Sequence, residues 1–126
     1  MKSNTKENKR YTNLAYLYNL CRGSNEFVLK VIDTFIRQMK TDIGKMRQYI
    51  EEKNWDSLHF IAHKMKPSFQ FVGIKELQDV IVNIEKYAKE RSNLDLLPQL
   101  LSQLITIYDA SVKELEGEVK KLKILT

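Results

Sequence analysis

At 126 residues, 43% apolar and 29% charged, the chain is long enough to bury one core and has the make-up of an ordinary soluble domain. Its net charge of +5 comes from the ends: Lys2, Lys6, Lys9 and Arg10 outweigh Glu7, Lys120, Lys121 and Lys123 outweigh Glu118, and residues 11–117 sum to zero. That distribution, with no basic stripe interleaved with aromatics, argues against nucleic acid. No apolar run nears the ~18 residues of a membrane span, and no apolar stretch follows the charged MKSNTKENKRYTN as in a secretory signal. The single Cys21 can form no internal disulfide, which fits a reducing, cytoplasmic setting.

In chain order, residues 1–10 read as a basic, disordered tail, and residues 11–123 as one helical unit. Leu14, Leu17, Tyr18 and Cys21 recur at helical spacing in a short segment over 12–22 that Gly23 ends. Ser24 or Asn25 then caps a long helix whose buried stripe is Val28, Val31, Ile32, Phe35, Met39, Ile43, Met46 and Ile50, with Asp42 and Glu51 as solvated charges. Asn54 caps the next helix, Asp56 sits in its first turn, and Leu58, Ala62, Met65, Phe69 and Val72 form its stripe up to Gly73. A further helix carries Leu77, Val80, Ile81, Ile84, Tyr87 and Ala88. The last starts near Asp95, holds Pro98 in its first turn, and buries Leu97, Leu101, Leu104, Tyr108, Val112, Leu115, Val119 and Leu122. Four amphipathic helices with short links predict an all-α fold. The expected form is an antiparallel up-down four-helix bundle with an additional short N-terminal helix across one end.

The third long helix carries the chemistry. His63 stands about 100° from the core position Ala62, and His59, Lys66, Pro67 and Gln70 share its face. Pro67 deprives the His63 carbonyl of its helical donor. Either water satisfies that carbonyl on an exposed face, or the turn beyond His63 must present little bulk to an incoming partner. Phe71 falls off the core stripe, which places it under the N-terminal segment or at a docking surface.

The segment Ala62-His63-Lys64-Met65-Lys66, with Gly73 ten residues after the histidine, resembles the phosphorylation-site helix of histidine-containing phosphotransfer (HPt) domains, whose pattern is roughly A-H-x-L-K-G. VIDTFIRQM, NWDSLHFIAH and ELQDVIVNIEKYAKE are similar to the helices that flank that motif in the family. The departure is Pro67, where the family usually has glycine, and it bears on partner choice and approach angle. The resemblance implies a carrier that passes a phosphoryl group on His63 between receiver-domain aspartates in a multistep phosphorelay. Lys66, and more weakly Gln70 and Lys64, would stabilise that group, while His59, Pro67, Phe71 and Gly73 would shape the docking surface. It implies no cofactor of its own, Mg²⁺ supplied in the partner receiver, and receivers of response regulators and of a hybrid histidine kinase as partners. A cytoplasmic monomer without ATP-dependent kinase activity is expected.

The alternatives are a metal clamp, a histidine-kinase dimerisation pair, self-phosphorylation from ATP, and a non-catalytic interaction module. His59 and His63 at i and i+4 lack a third ligand, and Phe60 stands where a zinc protease has glutamate. Lys64 and the fourth-position Pro67 do not fit the kinase pattern. Gly23, Gly44, Gly73 and Gly117 form no phosphate-cradling loop. The interaction module, with His63 unphosphorylated, is the serious rival.

Overall fold

The structure, a computed structural model, describes residues 9–125. The tail expected over 1–10 therefore lies largely outside the described residues. Lys9 and Arg10 are within them and reach Glu76 and Glu114 at 2.9 and 3.8 Å.

Helix α1 spans Ala15–Leu20, α2 Asn25–Glu52, α3 Trp55–Phe71, α4 Lys75–Glu90 and α5 Leu97–Leu125, with a 3₁₀ turn at Leu94–Leu96 before α5. The starts of α2 and α3 have a local cause. The Ser24 hydroxyl accepts from the Phe27 N–H, and the Asn54 side-chain oxygen accepts from the Ser57 N–H, so both expected caps form. Three-residue links or shorter join α2 to α3 and α3 to α4. Such links force antiparallel neighbours, and α5 closes the ring against α2. The resulting up-down bundle, with α1 at one end, is the predicted architecture.

The α3 stripe of Leu58, Ala62, Met65, Phe69 and Val72 is wholly buried. Phe69 meets the edge of Phe35 from α2, which in turn leans on Tyr108 from α5. Burying a side chain of that size is worth about 2–3 kcal/mol, so these rings tie three helices together. The Tyr108 hydroxyl donates to the Ile36 carbonyl at 2.8 Å. Ile107 and Ser111 broaden the buried face of α5 beyond its expected stripe, and the Ser111 hydroxyl is satisfied by the Ile107 carbonyl. Asp42 corrects the reading of α2: it is buried, not solvated, whereas Glu51 is exposed.

Residues 9–20 are strapped across the end where α2 and α4 begin and α3 and α5 finish. Glu114 accepts from the Tyr11 and Thr12 N–H groups and the Thr12 hydroxyl, and the Tyr18 hydroxyl donates to Glu118. The Asn13 N–H donates to the Val72 carbonyl. Beneath Asn13, Gly73 ends α3 in left-handed backbone (φ 65°), with its N–H on Gln70 and that of Ile74 on Phe69. Those two bonds are a Schellman cap, and a Cβ at Gly73 would lie 2.2 Å from the Asn13 carbonyl oxygen. Conformation and space both demand glycine there.

Candidate functional site

His63 projects from the middle of α3 with 69% of its side chain exposed. Helix α3 runs unbroken through Pro67. The α3–α4 hairpin brings Glu85 against His63, and the carboxylate takes two partners: His63 Nδ1 at 2.5 Å and Lys66 Nζ at 2.7 Å. The backbone carbonyl of Glu85 meets His59 Nδ1 at 3.3 Å, and the two imidazole rings lie 6.4 Å apart.

The protonation pattern follows from these partners. Burial pushes the Glu85 carboxyl up, but the hydrogen bonds from Lys66 and then His63 outweigh it and hold the group below the usual carboxylate range. Glu85 is thus ionised at neutral pH and can only accept. His63 Nδ1 must carry the proton it donates, so in the neutral ring the lone pair is on Nε2. An exposed imidazole with Nδ1 tethered and Nε2 open is a nucleophile of fixed orientation.

Of the other expected site residues, Lys66 belongs to this cluster through Glu85. Lys64 turns the other way, to Asp42 on α2, 3.8 Å from Oδ1. Pro67 and Gln70 are exposed along the same ridge, but Gln70, seven residues on, is about 10 Å along the axis from His63 and outside the cluster. His59 is half-buried beside α4. Phe71 is 37% exposed, its ring 6.1 Å from Tyr16 of α1. Gly73 sits at the bundle end under Asn13. Phe71 also lines an apolar groove of about 420 Å³ with Leu20, Phe27, Val31 and Phe35. Leu20 and Phe27 are more than half exposed there. Glu85 and this groove are the two features the sequence reading missed. Folding α4 back along α3 through the 72–74 link brings the stretch around positions 83–85 opposite His63, which was the available signal for Glu85.

The sequence model of the Hpt domain matches residues 30–119, most of the chain. The chain belongs to the Hpt domain family. No curated protein matches it. Among solved structures it is similar to the crystal structure of histidine-containing phosphotransfer protein B (HptB) from Pseudomonas aeruginosa PAO1. The two share 17% identity over 88% of this chain and 96% of that one, with a TM-score of 0.81. At that identity the likeness speaks for the helical-bundle fold, while the family match carries the function: an Hpt domain is a phosphotransfer carrier of phosphorelays, working with receiver domains. The interaction-module alternative is not favoured. No helix among the described residues is long and apolar enough to cross a membrane.

Proposed function

We propose that this Hpt domain carries the phosphoryl group on Nε2 of His63. The observation behind that reading is the ionised Glu85 on Nδ1, which leaves Nε2 exposed with its lone pair outward. In the forward step the Nε2 lone pair attacks the phosphorus of a receiver's aspartyl phosphate. The P–N bond forms, the acyl P–O bond breaks, and the aspartate leaves as its carboxylate. The Nδ1 proton stays on the ring, donated to Glu85, so the cationic phospho-imidazole faces a carboxylate and needs no base to relieve it. Phosphoryl transfer is mostly positioning and charge stabilisation, so a single oriented imidazole suffices on this side. Mg²⁺ would be bound by the partner receiver. Lys66, tied to Glu85, stands one turn from His63, where its ammonium could donate a hydrogen bond to a phosphoryl oxygen.

His63, Pro67 and Phe71, four residues apart, form a ridge from the imidazole to the apolar groove. A receiver would dock along that ridge, its apolar surface covering Leu20, Phe27 and Phe71 while its aspartate meets His63. Pro67 keeps the intervening turn low. The partners would be receivers of response regulators and of a hybrid kinase, and the protein a cytoplasmic monomer without kinase activity of its own.

The test is transfer from a phosphorylated receiver domain, read by intact mass at neutral pH, with His63→Gln alongside and both proteins checked for helicity. One phosphoryl gained by the wild type, absent in the variant and lost in acid, is expected. Equal gain by His63→Gln would overturn the assignment of His63.

A further inference from the structure

Asp42 is a residue that stability alone would not choose. Its side chain is 1% exposed on the face of α2 that meets α3. One oxygen, Oδ1, accepts from the Gln38 amide at 3.1 Å, and Oδ2 has no hydrogen-bond partner among the described residues. Its counter-charge is the Lys64 ammonium at 3.8 Å, beyond hydrogen-bond range. A buried carboxylate so incompletely satisfied is more often replaced with profit by an apolar side chain of similar size. Its partner, however, is the residue next to His63. On the opposite flank Lys66 is likewise held by a carboxylate, Glu85 at 2.7 Å. The two lysines nearest His63 in sequence are therefore both engaged before any phosphoryl group arrives, and the four charges sum to zero.

We propose that Asp42 is a positioning residue that holds Lys64 in a compensated pair and thereby keeps the phosphoryl group on His63 weakly bound, so that it can be handed on. This rests on the reading of His63 as the phosphoryl acceptor. A phosphoryl group brings about two negative charges. A free Lys64 would attract them; an uncompensated Asp42 would repel them; the intact pair does neither. Charges at side-chain range near a protein surface interact strongly enough to move an equilibrium several-fold. A carrier whose product was stabilised to that extent would retain its cargo.

The test is independent of any receiver. Phosphoramidate donates its phosphoryl group to Nε2, with ammonia leaving, so the ratio of phosphorylated to free His63 at a fixed phosphoramidate-to-ammonium ratio reports the equilibrium. It is read by intact mass and ³¹P NMR on wild type, Asp42→Asn, Lys64→Met and the double variant, each checked by circular dichroism. Asp42→Asn is expected to raise the ratio on the order of fivefold and Lys64→Met to lower it by a similar factor. The double variant should return to within twofold of wild type. A folded Asp42→Asn within twofold of wild type would overturn the proposal, as would a double variant that keeps the gain of Asp42→Asn. Should Lys64→Met fail to fold with its carboxylate unpaired, the other three proteins decide the matter. The same ratio in every variant, with receiver transfer intact, would sink the electrostatic role and leave the carrier reading standing. The expected order of ratios, with no receiver able to donate, would do the reverse.

Discussion

Replacing Glu85 by glutamine keeps its shape and removes its charge, and the consequences can be worked from its two hydrogen bonds. The carboxylate accepts from both His63 Nδ1 and Lys66 Nζ. The two partners sit on different oxygens, and an amide turns one of those positions into a donating NH₂, so in this geometry it cannot serve both. If the oxygen stays with Lys66, the NH₂ faces His63 Nδ1, which must then accept; the ring proton moves to Nε2 and blocks the nucleophile. If the oxygen serves His63, the ammonium meets a donor. A hydrogen bond to a charged group contributes about 1.5–3 kcal/mol when buried. With Lys66 a third exposed, about 1–2 kcal/mol is the fair figure. The expected outcomes are a fall of roughly tenfold in transfer rate from a phosphorylated receiver and a melting temperature lower by about 4–8 °C. ¹⁵N NMR of the imidazole should show the proton moving from Nδ1 toward Nε2. A folded Glu85→Gln with the wild-type rate and the proton still on Nδ1 would refute the reasoning.

Gly73→Ala puts a side chain into left-handed backbone and against Asn13, and should cost about 2–3 kcal/mol from strain and the displaced Asn13–Val72 hydrogen bond. Thermal unfolding should show a loss near 10 °C; a change under 3 °C would mean the strap yields freely. Phe27→Ala, at a position 58% exposed, should leave stability almost unchanged yet weaken receiver binding about tenfold by titration calorimetry, and unchanged affinity would remove the groove from the docking surface. Burial and then the Glu118 hydrogen bond push the Tyr18 hydroxyl up to about 12. Because its folded pKa is raised, its contribution is fully present below pH 10 and lost as pH climbs toward about 12. Burial raises the Tyr108 hydroxyl as well, so ultraviolet titration should find late-ionising tyrosines of which one disappears in Tyr18→Phe, and six tyrosines ionising together would contradict this.

The four long helices were legible from apolar residues three and four apart, helped in α2 and α3 by a Ser or Asn cap and in α3 by a glycine at the stop. The family was legible through the motif around His63. What escaped depends on which segments meet. Asp42 lies three residues after Met39 and four before Met46, squarely on the buried stripe, and its charge misled where its spacing did not. Glu85 sits one residue past the core position Ile84, where sequence alone reads as a solvated flank. Only the hairpin about Gly73 turns that flank toward His63. The apolar groove is less legible still, since Leu20, Phe27 and Phe71 come from three helices and α1 is positioned by long-range contacts from Glu114 and Glu118.

On the proposed reading, the arrangement separates reactivity from recognition around His63. On the α4 flank of α3, Glu85 fixes the ring and neutralises Lys66. On the α2 flank the surface becomes apolar toward α1, where Phe71, Phe27 and Leu20 lie open. The two flanks meet at the ridge of His63, Pro67 and Phe71, and Pro67 suits that meeting point. It leaves the His63 carbonyl without its helical donor on an exposed face, where solvent can supply the bond, and its compact ring adds no rotatable chain beside the imidazole. A longer side chain there would either cover Nε2 or have to be ordered at each encounter, at an entropic cost of about 1 kcal/mol or more. For a carrier that must meet at least two receivers in turn, that cost would recur at every transfer. A rigid turn between a tuned imidazole and an apolar groove avoids it, and this gives a physical reason for proline where the family usually has glycine.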